Sequence, residues 1–334
     1  MSDVHGLLRA AVRREPLLFV LAVLLLALAG FYPGFGTVAN FRNIAIQASP
    51  LIIAAVGMTY VIMTAGIDLS VGSMLFLAAA IESSRVVVGC PTAVVFAAIC
   101  ATGVLMGLIN GLAVAFTRVP ALIVTLAAMQ VFRGAGGHIT GQQNIDLPEN
   151  LRGIGTGSLL GVPTPVLLAA AVALGGAFVF RRVTFGRYVQ AVGSNPEAAV
   201  NAGVPVRLVL VGAYTLAGLL AAVASLTQTA RLGAVQPSIG QGFELTVITA
   251  VVLGGTSLFG GRGSIGGTVL GALVLTTVQT GLVFSGASPY VFDIVRGGVL
   301  LAAVLAAGAR WRDLARAMGL TARRPSVPGG RSAA

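Results

Sequence analysis

Apolar stretches about as long as a bilayer is thick follow one another along almost the whole chain, with short polar turns between them. A helix crosses the hydrocarbon with about 20 apolar residues, in a range of about 17–25. By that measure the candidate spans are 17–31, 46–64, 71–88, 92–116, 119–137, 164–180, 207–229, 243–259, 264–284 and 291–309. The chain reads as an all-α membrane protein of about ten transmembrane helices, with its 45 glycines serving close helix packing. Only 9% of its residues are charged, against roughly 25% in a soluble domain, which excludes a water-soluble enzyme. A hydrophobic content of 56% excludes a disordered chain.

The distribution of arginine orients the spans. With a cytoplasmic N-terminus, 15 of the 21 arginines fall on the inner side, three on the outer side and three within spans. That bias satisfies the positive-inside rule, and an even number of spans keeps both arginine-rich termini cytoplasmic. The first span is short, follows Arg9, Arg13 and Arg14, and holds the A-x-A pattern Ala27-Leu28-Ala29, so a signal peptide competes with an uncleaved helix. The charge count favours the helix. The third span is interrupted by Glu82 and Arg85, spaced to pair at i, i+3, and a short or re-entrant segment is open there. A cytoplasmic tail over 1–16, a transmembrane domain over 17–309 and a basic, disordered tail over 310–334 complete the expected layout. The long outer loop 138–163 reads as polar and Gly/Pro-rich, and no amphipathic surface helix is expected.

All 21 basic residues are arginine. A P-loop needs its lysine to reach the β- and γ-phosphates, so any ATPase must be another polypeptide. Two cysteines, Cys90 and Cys100, and two histidines, His5 and His138, lack metal-site spacing. No Ser/His, Asp/Asp or His/Glu constellation recurs at helical spacing within a span.

Three stretches stand out. The run Gly66-Ile67-Asp68-Leu69-Ser70-Val71-Gly72 places a carboxylate between two apolar segments. An Asp at the bilayer centre costs about 2.5–3.5 kcal/mol, so Asp68 is expected at an interface or in a cavity. It reads either as part of a gate or partner contact, or, with Ser70, as an N-cap of the third helix. The run Gly254-Gly255-Thr256-Ser257-Leu258-Phe259-Gly260-Gly261-Arg262-Gly263 continues to Gly267. It contains a formal G-x-G-x-x-G, but it joins two apolar spans and lacks the βαβ context of a dinucleotide site. Close backbone approach or a tight turn explains these glycines better. A similar layout at 57–80 suggests a parallel internal repeat.

In the loop 181–206, Ser194 and Asn195 read as N-caps, Pro196 suits the first helical turn, and Glu197 favours the positive helix end. Ala198, Ala199 and Ala202 extend a helix of about two turns that Gly203 and Pro205 stop. Such a helix serves either a partner contact or a plain connection.

Together these stretches resemble the permease subunit of sugar ABC importers of the ribose/xylose/galactose type, the inner-membrane component of binding-protein-dependent transport. The run Gly66–Ser73 looks like one family signature and Gly254–Gly267 like a second. Glu197-Ala198-Ala199 with Gly203 four residues on resembles the E-A-A-x-x-x-G coupling motif, and Asn110-Gly111 and Pro120 also fit. The likeness runs from about residue 40 to 305.

The resemblance implies a homodimer in the bacterial inner membrane that conducts a monosaccharide or similar small polyol. A partner ATPase with two nucleotide-binding domains would hold ATP and Mg, this chain binding no cofactor itself. A periplasmic or lipid-anchored binding protein would deliver the solute. Asn195, Pro196, Glu197, Ala198, Ala199 and Gly203 would form the coupling helix that docks on the ATPase. The glycine-rich hairpins (Gly66, Asp68, Ser70, Gly72; Gly254, Gly255, Gly260, Gly261, Arg262, Gly263) would gate or pack. The alternative is a self-sufficient secondary transporter or channel for a small polar solute.

Overall fold

The computed structural model describes residues 16–84, 87 and 89–317. The N-terminal arginines, Arg85 and the chain beyond 317 lie outside the described residues. Helices α1 (Pro16–Phe31), α2 (Val38–Met63), α3 (Val71–Glu82), α4 (Thr92–Phe116) and α5 (Ala121–Thr140) come first. After α6 (Glu149–Thr156) come α7 (Thr164–Arg182), α8 (Thr184–Ser194), α9 (Pro196–Asn201) and α10 (Val206–Leu232). The last three are α11 (Phe243–Leu253), α12 (Ile265–Phe284) and α13 (Pro289–Ala317).

Among the described residues, six helices (α2, α4, α5, α7, α10 and α12) are long and apolar enough to cross a membrane. Three apolar helices are shorter: α1, α3 and α11. With 12 and 11 residues, α3 and α11 extend about 18 and 16 Å at 1.5 Å per residue, half of a hydrocarbon core about 30 Å thick. Within the expected spans 71–88 and 243–259 the helices therefore stop at Glu82 and Leu253, at about half the length of a crossing. The expected internal repeat is also modified: α2 is long and α3 short, whereas α11 is short and α12 long.

Helix α2 is the hub, with every residue from Ala48 to Met63 buried. Its partners approach through small residues. On α4, Gly103, Gly107 and Gly111 recur every four residues and share one face. That face lies against α10, where a Cβ on Gly107 would stand 2.7 Å from the Thr215 Cα and one on Gly111 2.8 Å from the Val211 Cα. With no hydrophobic drive between helices in lipid, such close packing is what holds them. Helix α1 rests on α12, where Leu28 fills the space beside Gly281 and Phe35 meets Phe284 edge-on at 5.2 Å.

Several elements differ from the sequence reading. Loop 181–206 contains an amphipathic helix, α8, that buries Gly186, Val189, Val192 and Gly193 on one face; its short apolar stripe escapes a search tuned to longer periods. Ser194 ends α8, its hydroxyl donating to the Gln190 carbonyl at 2.8 Å, and Asn195 alone caps α9. Loop 138–163 holds α6, the strand pair Ser158–Leu159 with Val162–Pro163, and the strand Ile145–Asp146, which pairs with Ala234–Val235 after α10. Helix α13 continues to Ala317, into the stretch expected to be disordered. Glu82 is fully buried and accepts hydrogen bonds from the Ser225 and Thr229 hydroxyls of α10, joining α3 to a helix distant in sequence.

The packing of α4 on α10 predicts that Gly107→Ala destabilises the purified protein by about 1–3 kcal/mol through overpacking, read as a lower thermal midpoint. Gly134→Ala, where the new methyl meets nothing within 4 Å, leaves the midpoint unlowered, since alanine is the better helix former.

Candidate functional site

At the end of α2 the chain turns back into the bundle. Ala65 adopts a left-handed φ of 62°. Gly66 follows with no room for a side chain, since a Cβ there would stand 2.6 Å from the Tyr214 hydroxyl. The Ile67 carbonyl accepts from Thr125 of α5 at 3.3 Å and from Tyr214 of α10 at 3.4 Å. Asp68 is fully buried. Its Oδ1 accepts from the Ser70 backbone N–H at 2.8 Å and the Ser70 hydroxyl at 2.6 Å, and that hydroxyl accepts from Asn110 Nδ2 of α4 at 2.8 Å. Ser70 thus supplies both donors to Oδ1, and the carboxylate is enclosed by this chain's own residues. Ser70 holds the N-cap position of α3 without a side-chain capping bond, because its hydroxyl is turned to Asp68.

A second hairpin joins α11 to α12. Gly254 and Gly267 face one another so closely that a Cβ on Gly254 would stand 2.6 Å from the Gly267 carbonyl. Ser264 caps α12 through the Gly267 N–H at 3.0 Å, and the Ser257 N–H donates to the Arg262 carbonyl at 2.8 Å. Gly255, Gly260 and Gly261 all have φ between 72° and 86°, a region that glycine occupies without penalty. Gly263 abuts Thr256, and the Arg262 side chain is exposed.

The third stretch meets both. The Gly261 N–H donates to the Met63 carbonyl at 3.0 Å, satisfying one of the orphan acceptors at the end of α2. A Cβ on Gly260 would stand 2.7 Å from the Gly193 carbonyl, and one on Gly193 2.6 Å from the Gly261 nitrogen. Upstream, Tyr60 donates to the Gly176 carbonyl at 2.6 Å, stacks on Phe185 at 5.8 Å and meets Phe180 edge-on at 6.0 Å. These contacts seat the bend between α7 and α8 on α2. Helix α9 projects from this platform. Asn195 Oδ1 accepts from the Ala198 N–H at 3.0 Å, Ala199 is buried as the anchor, and Pro196, Glu197, Ala198 and Val200 are exposed. Gly203 at φ 77° closes α9, its N–H donating to the Val200 carbonyl at 2.9 Å. The structure therefore brings together the two hairpins and the α8–α9 loop at one end of the bundle. Arg181, Arg182, Arg187, Arg207 and Arg262 are exposed in the segments meeting there.

A further convergence was not visible in the sequence. After α10, residues 233–242 run back into the bundle as a short strand, Ala234–Val235, followed by consecutive turns before α11 begins. Gly240, at φ 76°, lies against Gly72 in the first turn of α3, each occupying space that a Cβ on the other would need. The N-terminal ends of the two half-length helices meet there. Arg133 of α5 donates to the Ile239 carbonyl at 2.7 Å, and Arg296 of α13 to the Gly242 carbonyl at 2.9 Å and the Thr246 hydroxyl at 2.8 Å. Arg296 also pairs with Asp293 at 3.0 Å, as its i+3 spacing suggests. Glu244 lies within the fields of Arg133 and Arg296. A lone arginine inside an apolar span was the available sequence signal, since such a charge needs a buried partner.

Arg133→Leu leaves the Ile239 carbonyl without this donor and is expected to cost about 1–3 kcal/mol, read as a lower thermal midpoint and faster proteolysis within 233–242. Arg133→Lys recovers part of the loss.

The chain matches the family described as "Branched-chain amino acid transport system / permease component" over residues 40–304. The ribose import permease protein RbsC of Escherichia coli (strain K12) is 42% identical over 302 residues, covering 89% of this chain and 94% of that one. RbsC of Bacillus subtilis (strain 168) is 38% identical over 294 residues, 86% of this chain and 89% of that one. The D-allose transport system permease protein AlsC of E. coli (strain K12) is 33% identical over 292 residues, 86% of this chain and 89% of that one. No solved structure matches the chain. A buried α2 hub, helices apolar enough to span a bilayer and this match over most of the chain have one reading: the chain belongs to this permease family, as the multi-pass translocation subunit of an ABC importer in the bacterial inner membrane.

Proposed function

We propose that the chain forms the path for a monosaccharide or similar small polyol, as a homodimer of subunits with ten spans each and both termini cytoplasmic. In this reading α3 and α11, with the non-helical chain that completes them, are two of the ten. The solute class rests on the relatives, whose names specify ribose and D-allose. A periplasmic or lipid-anchored binding protein delivers the solute, and a separate ATPase with two nucleotide-binding domains holds ATP and Mg.

The observation that carries the reading is the construction of the arginine-rich end. A helix meant to receive force needs an exposed contact face and a rigid seat. In α9, Glu197 and Val200, one turn apart, provide the exposed face, and Ala199 is buried beneath them. The seat is made of backbone contacts from Gly193 to Met63 and Gly261, which have little freedom to yield. Asn195, Pro196, Glu197, Ala198, Ala199 and Gly203 then act as the coupling helix, docked in a groove of the ATPase. The positive-inside rule places this end in the cytoplasm.

The test uses the permease reconstituted with its ATPase and binding protein. Glu197→Arg reverses the charge at the docking face. Gly203→Pro demands a φ near −65° where the chain has 77° and removes the N–H that closes α9. Both variants are expected to purify as folded membrane protein while uptake driven by ATP falls by about tenfold or more, the loss typical of a disrupted interfacial charge. Unchanged coupled uptake in both variants contradicts the coupling role.

A further inference from the structure

Between the outer ends of α2, α10, α12 and α13 and the inward-running segment 233–242 lies a cavity of about 370 Å³. Its polar lining comes in part from helices that are otherwise apolar: Gln47 on α2, Gln228 on α10 and Gln279 on α12, with Gln236 and Gln241 on the inward-running segment and Arg231 at the end of α10. None of the five glutamine side chains has a hydrogen-bond partner among the described residues. A primary amide facing hydrocarbon is costly, so amides at these positions on three spans are retained where they face water or a polar guest.

The depths of the three helical glutamines are graded. Gln228 and Gln279 stand four and five residues from the C-terminal ends of their helices, about 6 and 8 Å in at 1.5 Å per residue. Gln47 stands nine residues from the start of α2, about 14 Å in by the same rise. Gly240 and Thr246 also line the cavity, so its inner wall is the place where Gly240 meets Gly72.

The chemistry of the lining selects a class of guest. Each amide offers an NH₂ donor and a carbonyl acceptor without net charge, the complement of a hydroxyl, which also donates and accepts. Of the charged groups in the lining, Asp293 and Arg296 neutralise one another at 3.0 Å, Arg296 is further engaged by Gly242 and Thr246, and Arg231, exposed at the end of α10, is the remaining cation. Phe243 and Phe292 supply apolar wall for C–H faces. The volume lies near the lower end of the range of small-molecule sites, about 300–1,000 Å³.

We propose that this cavity is a receiving subsite for a neutral polyhydroxylated solute. Gln47, Gln228 and Gln279 hold its hydroxyls after release from the binding protein and before the Gly72–Gly240 contact opens. The proposal rests on the importer reading above and adds to it a binding site within the permease itself.

The test measures D-ribose moved per ATP hydrolysed by the full complex in proteoliposomes, with D-allose as a second probe. Gln47→Leu, Gln228→Leu and Gln279→Leu keep the side-chain volume close and remove the amide. Each is expected to lower the transport-to-ATP ratio about fivefold, the loss of one net hydrogen bond, with ATPase stimulation by the binding protein within about twofold of the parent. Gln228→Asn, which keeps the amide, is expected to recover part of the ratio, a readout that packing alone would not produce. An unchanged ratio in all three Leu variants, against a parent that transports sugar, overturns the subsite and leaves the importer reading standing. A parent complex that hydrolyses ATP with the binding protein but moves neither sugar overturns the sugar reading, and the subsite as stated goes with it.

Discussion

Non-helical chain inside a membrane is tolerated only where protein or water satisfies its backbone, and this subunit is organised around two such segments. Residues 64–70 turn in from one end and 233–242 from the other, and they lead into the half-length helices α3 and α11. Each intrusion carries its own donors. Thr125 and Tyr214 serve the Ile67 carbonyl, and Ser70 serves Asp68. Arg133 and Arg296 serve the Ile239 and Gly242 carbonyls, and Ile145–Asp146 pairs with Ala234–Val235 at the start of the second segment. The two segments meet where Gly240 lies against Gly72, a contact only glycine permits.

This arrangement connects the two ends of the bundle. The Tyr60 hydroxyl and its stacking on Phe185 tie the start of the α8–α9 loop to α2. The Met63 carbonyl, at the end of α2, is held by Gly261. The chain then passes through Gly66 and Asp68 to Gly72. From α9 to the Gly72–Gly240 contact the connection runs through backbone contacts and largely buried side chains. Beyond that contact lies the glutamine-lined cavity.

Much of this was legible in the sequence. Hydropathy located the apolar segments, and the E-A-A-x-x-x-G run marked a short helix that does form, capped by Asn195. The half-length helices were not legible, because residues 83–88 and 254–259 keep enough apolar character to extend a span on paper while the backbone leaves the helix at Glu82 and Leu253. The donors that Ser70 offers Asp68 two residues away become visible only once the chain is folded. The partners of Glu82 lie 143 and 147 residues away on α10, a distance no local pattern spans. The glutamines were readable as polar residues in apolar spans, but which helix faces converge is a tertiary property.

The central claim is that two interrupted helices meet inside the bundle, with solvent reaching each segment from one side only. Single cysteines placed along 64–72 and 233–242, in a variant with Cys90 and Cys100 replaced by serine, can be probed with a membrane-impermeant thiol reagent in vesicles of known orientation. With the outer face taken from the arginine pattern, the structure predicts labelling of 236 and 241 from the outer face only, and no labelling of 70 or 235, both fully buried, from either face. Labelling of 70 or 235 from both faces, or protection of the whole of 233–242 as a continuous lipid-facing helix would give, contradicts the account.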